Sequence, residues 1–388
     1  MSIIISGIQQ LGVGVYDVYQ AWNWYRDNFG ADILLSDAPG EASLMLPYTD
    51  NKPQTRHTFL AYNMQGGGGF ELWQYTSRNP KSAGFEIKVG DLGTFAGKLK
   101  CENPSAAYLK FKHDGLNLCS KFSKNLQGKD HFFVKDLYDN IYEIIQSDVK
   151  FSETDSLTGG VFGAYVGCTD MEKSIKFYGD ILGYDTVVYD QEGVFDDFAL
   201  LPGGTQRFRR VLLKHSKPRK GPFSNFLNES CIELVKNLDS EPNRIFDFKN
   251  HLWGDPGFIQ ICFDVKNMKN VKETCEQNGV SFTTDSNPEA YNGQAQIFDM
   301  GGAAGHFAYI EDPDRNLIEF VETYSIPIVE KWGLKLNLAK RNPEKPLPDF
   351  MVSALRFLRK GADYCNTPKA KSKLAIAQAD KQKAESNN

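Results

Sequence analysis

Asp17-Val-Tyr-Gln-Ala-Trp-Asn-Trp-Tyr25-Arg-Asp27-Asn-Phe-Gly30 and Asp170-Met-Glu-Lys-Ser-Ile-Lys-Phe-Tyr178-Gly-Asp180-Ile-Leu-Gly183 read as two copies of one helical unit. In both, thirteen residues separate the first Asp from the last Gly. The Asp is a natural N-cap, accepting a hydrogen bond from a free amide of the first turn. The Gly can take the left-handed conformation that ends a helix. Between them, aromatic and aliphatic residues recur at helical spacing, so one face packs down. The likeness runs on past the helix. Leu46-Pro47 matches Leu201-Pro202, Arg56-His57-x-Phe59 matches Arg209-Arg210-x-Leu212, and Phe70-Glu71-Leu72 matches Ile232-Glu233-Leu234.

A second pair of segments follows a related plan. Phe85 to Val89 and Phe258 to Phe263 read as short apolar strands, each followed by a helix. Downstream, Asp136-Leu-Tyr-Asp-Asn140-Ile-Tyr-Glu143 and Asp312-Pro-Asp-Arg-Asn316-Leu-Ile-Glu319 place turn residues between alternating strands. Self-similarity of this kind marks a repeat architecture. The chain therefore divides into four units of strand, helix and about three strands, near residues 6–77, 82–148, 160–238 and 256–324. Two halves are expected, 1–150 and 156–325, with Asp239 to Asp255 as a linker or inserted loop. The extension 326–388 holds a helix near 349–360, capped at Asp349 and ending at Gly361, and a Lys-, Ala- and Gln-rich tail expected to be disordered.

Composition sets the outer limits. The chain has 388 residues, 41% hydrophobic and 13% aromatic, enough for more than one core. A formal charge of −5 argues against nucleic acid as a partner. No apolar run is long enough to span a membrane, and the Met-Ser-Ile-Ile-Ile start does not read as a signal peptide. Seven scattered cysteines without a C-x-x-C spacing exclude a zinc ribbon and speak against a disulfide framework, so a cytoplasmic setting is expected.

The doubled Asp-helix-Tyr-x-Asp-x-x-Gly unit and the doubled turn with Asn-x-x-Glu resemble the vicinal oxygen chelate superfamily, which includes glyoxalase I, bleomycin-resistance proteins and extradiol dioxygenases. The resemblance covers about residues 6–324. It implies an α+β fold of four βαβββ modules paired into two cup-shaped sheets. It also implies a divalent metal held at the bottom of a cup by one residue from the first strand and one from the last strand of each module. The first-strand position lies seven residues before the helix-opening Asp or Asn: Gln10, Gly84, Gly163 and Gln260. The last-strand position is Glu71, Glu143, Glu233 and Glu319. Glycine has no side-chain donor, so only modules one and four can supply a full set. This favours pairing one with four and two with three, over two tandem sites of one Gln and two Glu each.

On this resemblance the metal set is Gln10, Glu71, Gln260 and Glu319, with Glu319 and Glu71 as proton-moving carboxylates. The expected ion is Zn, Ni, Mg or Mn; an oxygen-only set should hold Zn less tightly and leaves room for Mg, Mn or Ni. The expected activity is a glyoxalase I-like lyase or isomerase acting on a small oxygenated substrate, in a monomer or homodimer. The alternatives are a metal-free small-molecule binder of the bleomycin-resistance type and, third, a ring-cleaving dioxygenase. The dioxygenases place two histidines and a glutamate on iron, and this set has no histidine. Plainer readings stand beside these. A strand Glu can line a wet cup or pair with an Arg. His131 and His306, just before the turns, are expected to be half-buried with backbone partners. Gly66 to Gly69 reads as a hairpin loop, not a phosphate cradle. Arg207, Arg209 and Arg210 could offer a cation to an anionic substrate, but an exposed, solvated hairpin is the preferred reading.

Overall fold

Four strand-rich modules account for most of the chain, and their order in space differs from their order in sequence. The computed structural model describes residues 3–292, 298–299, 304–329, 334–338 and 341–386; parts of the fourth module and of the extension lie outside these. Module one comprises β1 (Ile4–Gly14), α1 (Val18–Phe29), β2 (Ile33–Glu41), β3 (Thr55–Tyr62) and β4 (Gly69–Tyr75). Module two comprises β5 (Gly93–Cys101), α2 (Pro104–His113), β6 (Asn117–Leu118), β7 (Ser123–Lys124), β8 (Asp130–Lys135) and β9 (Ile141–Gln146). Module three has β10 (Val161–Gly167), α3 (Met171–Asp180), β11 (Thr186–Gly193), β12 (Phe208–Lys214), α4 (Ser224–Leu227) and β13 (Cys231–Asn237). Module four has β14 (Gly257–Lys266), α5 (Met268–Gln277), β15 (Thr284–Asp285), β16 (Phe298–Asp299), β17 (Ala304–Glu311) and β18 (Leu317–Val329). The extension adds β19 (Leu334–Asn337), α6 (Asp349–Ser353) and α7 (Pro368–Ser386).

The strand order answers the pairing question. One sheet runs β15-β17-β18-β14-β1-β4-β3-β2 and the other β11-β12-β13-β10-β5-β9-β8-β6. Modules one and four thus share a sheet, called cup one here, and modules two and three share the other, cup two. The seam of cup one is the antiparallel pair β1/β14, with Gln10 opposite Cys262 and Gly12 opposite Gln260. The fold is α+β, built from two curled sheets with helices laid on them.

The helical units end as their caps dictate. Asp17 accepts from the Gln20 amide and Gly30 closes α1 at φ 64, while Asp170 accepts from Lys173. In the second copy the α-helix stops at Asp180, ahead of the expected Gly183, which still takes φ 71. The repeated tyrosines tie the helices to the turns. Tyr25 donates to Asp136 at 2.6 Å and Tyr178 to Asp312 at 3.0 Å. Asp136 and Asp312 each also accept backbone amides two and four residues on. Helix α1 is therefore clamped to module two and α3 to module four, across the direction in which the sheets pair.

Three expectations need correction. The strand expected at Phe85 to Val89 is irregular chain between Gly84 and Gly90, both at positive φ, and Asp91 caps it by accepting from the Lys88 amide. The real first strand of module two is β5, whose Lys98 and Lys100 are 2% exposed. Two buried lysines disguise it as a surface segment. The expected helix at 349–360 is α-helical only to Ser353 and then 3-10 to Leu358. Its Val352 packs with Ile33, Tyr62 and Leu347, whereas Phe350 and Phe357 are exposed. The tail expected to be disordered is α7, started by Pro368 and made of strong helix formers. It is held by Tyr19 donating to the Ala370 carbonyl at 2.9 Å and by Lys373 donating to the Asp37 carbonyl. Among the described residues no helix is long and apolar enough to cross a membrane, and all seven cysteines are free.

Candidate functional site

Strand register brings the expected residues of modules one and four together at the floor of cup one. Glu71 on β4 lies beside Gly12 of β1, and Glu319 on β18 lies beside Cys262 of β14. Because side chains alternate along a strand, Gln10 and Gln260 project into the same cup. Gln260 Nε2 donates to Glu71 Oε2 at 2.8 Å and to Glu319 Oε2 at 3.2 Å. The amide is oriented by Trp253, whose indole Nε1 donates to Gln260 Oε1 at 2.8 Å. An indole N–H can only donate, so the atom it meets is the amide oxygen and the nitrogen faces the carboxylates. Gln10 Oε1 is buried without a hydrogen-bond partner.

Burial dominates the electrostatics of the glutamates. It pushes Glu319 up to about 8, with the neighbouring Glu71 adding to the rise. Glu71 is also raised by burial, against the pull of Arg56. Neither carboxylate makes an ion pair among the described residues. A cavity of about 190 Å³ opens above them. Its walls are largely apolar: Leu35, Leu60, Trp73, Phe226, Phe307, Val321 and Leu355, with Tyr309, Thr58 and Arg56 supplying polar points.

Cup two carries the equivalent glutamates in a different state. Lys98 is in register with Glu143, and its ammonium bridges Glu143 and Glu233 at 2.6 and 2.8 Å. Arg210 pairs with Glu233 and Asp197, each at 2.7 Å, and His131 meets Glu143 at 2.7 Å. Burial works against the charge on Glu143, but Lys98 and His131 hold its carboxyl well below the usual range. This cup is closed by internal ion pairs.

Several sequence expectations change here. The first-strand position of module two is Ala96, seven residues before the observed N-cap Asn103, not Gly84. It still has no donor. The match of Arg56-His57 with Arg209-Arg210 is one residue out of step, because Leu60 faces Glu71 where Leu212 faces Glu233. A one-residue slip moves every side chain to the other face. Arg209 is on the outside, paired with Asp190 and Glu172, while Arg210 is wholly buried and not part of a solvated hairpin. His131 and His306 are 1% exposed rather than half-buried, with carboxylate partners Glu143 and Asp285. The segment 239–255 is no mere linker: it delivers Trp253 to the floor and is locked by Arg78 on the buried Asp255 at 2.7 Å. Trp253 and Arg56 carried no sequence signal, one lying in a presumed connector and the other in a misaligned repeat.

The donor chemistry decides what a divalent ion would meet. Gln10 Oε1, Glu71 and Glu319 are oxygen donors of the kind a hard or borderline ion takes. Gln260 does not fit as a fourth, since Trp253 holds its oxygen away from the pair. Among the described residues no group of three or more His, Cys, Asp or Glu is placed to hold a metal.

Two curled sheets of this α+β form, with paired residues at the floor of each cup, define a fold class, and comparison with known proteins places one stretch of the chain in a family. Residues 162–320 match the model of the Glyoxalase/Bleomycin resistance protein/Dioxygenase superfamily, and this stretch is a domain of that superfamily. Similar solved structures include glyoxalase I from Zea mays, at 14% identity and TM-score 0.49, covering 81% of this chain and 92% of that one. A putative dioxygenase from Bacillus subtilis subsp. subtilis str. 168 is 10% identical with TM-score 0.48, covering 83% of this chain and 86% of its own. A mutant 4-hydroxymandelate synthase from Streptomyces coelicolor is 13% identical with TM-score 0.29, covering 92% and 98%. No curated protein sequence matches the chain.

Proposed function

We propose that cup one is the active site of a glyoxalase I-like lyase or isomerase that moves a proton on a carbon next to an oxygenated group. The observation that carries this reading is the contrast between the cups. At equivalent strand positions, Glu143 and Glu233 are neutralised by Lys98 and Arg210. Glu71 and Glu319 keep no such cation and face an apolar cavity. Buried carboxyls without a paired cation are costly and cluster at functional sites.

Glu319 suits the proton-moving role. Its raised affinity for protons lets it donate or accept near neutral pH, where general acid–base exchange is most effective. Gln260 holds Glu319 and Glu71 side by side through its two N–H bonds. The apolar walls keep water from the carbon that loses its proton. A divalent ion, held by Gln10, Glu71 and Glu319 when bound, would polarise the substrate oxygen. The Gln260 orientation also favours a second reading, a metal-free binding protein, because the amide already satisfies the two carboxylates.

Exchange of deuterium into small 2-oxo compounds, followed by NMR, separates the two readings. Wild-type protein should catalyse exchange, and Glu319→Gln should lower the rate by about two to four orders of magnitude. Glu319→Gln exchanging at the wild-type rate would transfer the role to Glu71. No exchange by wild type on any such compound would leave the binding reading in its place.

A further inference from the structure

The geometry points to Arg56 as the anchor for an acidic group on the ligand of cup one. That makes the ligand an acid with an apolar body, its oxygenated carbon turned to Glu319. This rests on the reading of cup one as the ligand-binding cup and adds the chemical class of what it takes.

Arg56 sits near the start of β3 and lines the cavity. Its Nη1 donates to the Ala38 carbonyl at 2.6 Å and to Thr58 Oγ1 at 3.2 Å. A guanidinium has five N–H donors in a fixed fork, so Nε and Nη2 still need acceptors. Among the described residues Arg56 forms no ion pair, and Glu71 acts on it only at longer range. The cations around the floor glutamates of cup two behave differently. Lys98, Arg210 and His131 are each matched to a carboxylate of the chain. Cup one therefore holds a cation with no carboxylate in direct contact beside a cavity, where a bidentate bond from a ligand carboxylate is the strongest available complement.

Register places the backbone of the anchor and of the carboxylate. On β3, Arg56 pairs with Tyr75 and Leu60 pairs with Glu71. Those positions are four residues apart, roughly 13 Å along a strand. Leu35, Leu60, Trp73 and Phe226 line the space around them. The Arg56 guanidinium leans back along β3 to Thr58 Oγ1 and also pulls on Glu71, so an acid bound there meets its cation beside the carboxyl pair, with apolar walls around its body.

Calorimetry with 3-phenylpropanoate and 3-phenylpropan-1-ol, which differ in the acid group, tests the anchor without turnover. Wild-type protein should bind the acid about tenfold more tightly, the usual worth of a charge-assisted hydrogen bond. Arg56→Met should bind both alike, and Arg56→Lys should retain part of the preference. Equal affinities in wild type, no acid binding at millimolar concentration, or a preference that survives in Arg56→Met would each overturn the proposal. If Arg56→Met does not fold, the wild-type ratio and Arg56→Lys decide. Acid binding that depends on Arg56, in a protein without exchange activity, would keep the anchor and sink the enzymatic reading. Exchange activity without acid preference would do the reverse.

Discussion

Gln260 shows how much one indole can decide. Spacing alone assigns Gln10 and Gln260 the same part, and the strand register does put both in the cup. Trp253 turns the Gln260 nitrogen to the glutamates, while Gln10 also hydrogen-bonds Glu71 and keeps its amide oxygen buried without a partner. In calorimetric titrations with Mn or Ni, Gln10→Ala should weaken binding by at least about tenfold, the lower end of what loss of even an outer-shell partner costs. Gln260→Ala should leave affinity close to wild type. An equal loss in both variants would mean that the amide turns over when the ion enters. At this scale the sequence showed the right positions but not their roles. The four glutamates were legible because each follows a turn or a repeated apolar triplet. The donor direction of an amide depends on a residue from a distant loop, which no local pattern encodes.

Elements that carry buried charge were the hardest to read. β5 was missed because Lys98 and Lys100 look like surface residues, although both are buried, Lys98 in ion pairs and Lys100 with its ammonium unpartnered. β14 was easier, since it is mostly apolar, yet it contains Asp264. That side chain is fully buried, both its oxygens lack hydrogen-bond partners, and burial raises its pKa from 3.8 to about 7, with Lys266 opposing. A carboxyl whose folded pKa exceeds its unfolded value favours the fold fully below the unfolded value. That contribution is lost as pH rises through about 7. Asp264→Asn should therefore be more stable than wild type at about pH 8, by at most about 4 kcal/mol, and the gap should close towards about pH 4. Urea midpoints at the two pH values check the sign. The helical units allow a parallel test. Tyr25→Phe and Tyr178→Phe each strip a hydroxyl from a buried turn Asp, so each should cost about 1–3 kcal/mol in urea unfolding. A change near zero in both would show that the clamps are dispensable.

Across the whole molecule, two cups of common plan have diverged into one with internal ion pairs and one with a cavity. Lys98→Met should destabilise the protein by about 3–5 kcal/mol, because it leaves Glu143 and Glu233 facing each other without their shared cation. Ligand binding in cup one should be unchanged in any Lys98 variant that folds. A small loss of stability would mean that Arg210 and His131 suffice to hold the pair. Resemblance between modules made the four-part plan legible, and the missing first-strand donors of modules two and three pointed to the pairing. The charge closure of cup two was not legible, since it depends on Lys98, Arg210 and Asp197 converging from three separate strands and turns.

The nested pairing also sets an order of assembly on the ribosome. Modules two and three are neighbours in sequence, so the sheet they share can close while the chain is still being made. Module one emerges first but must wait, because its edge partner begins only at Gly257. Contacts that span so much of the chain are slow to form. During that interval β1 is an open edge of the kind that pairs with foreign strands. On this topology the cup with the cavity should be the last to be completed, with the ion-paired cup as the earlier platform against which it closes.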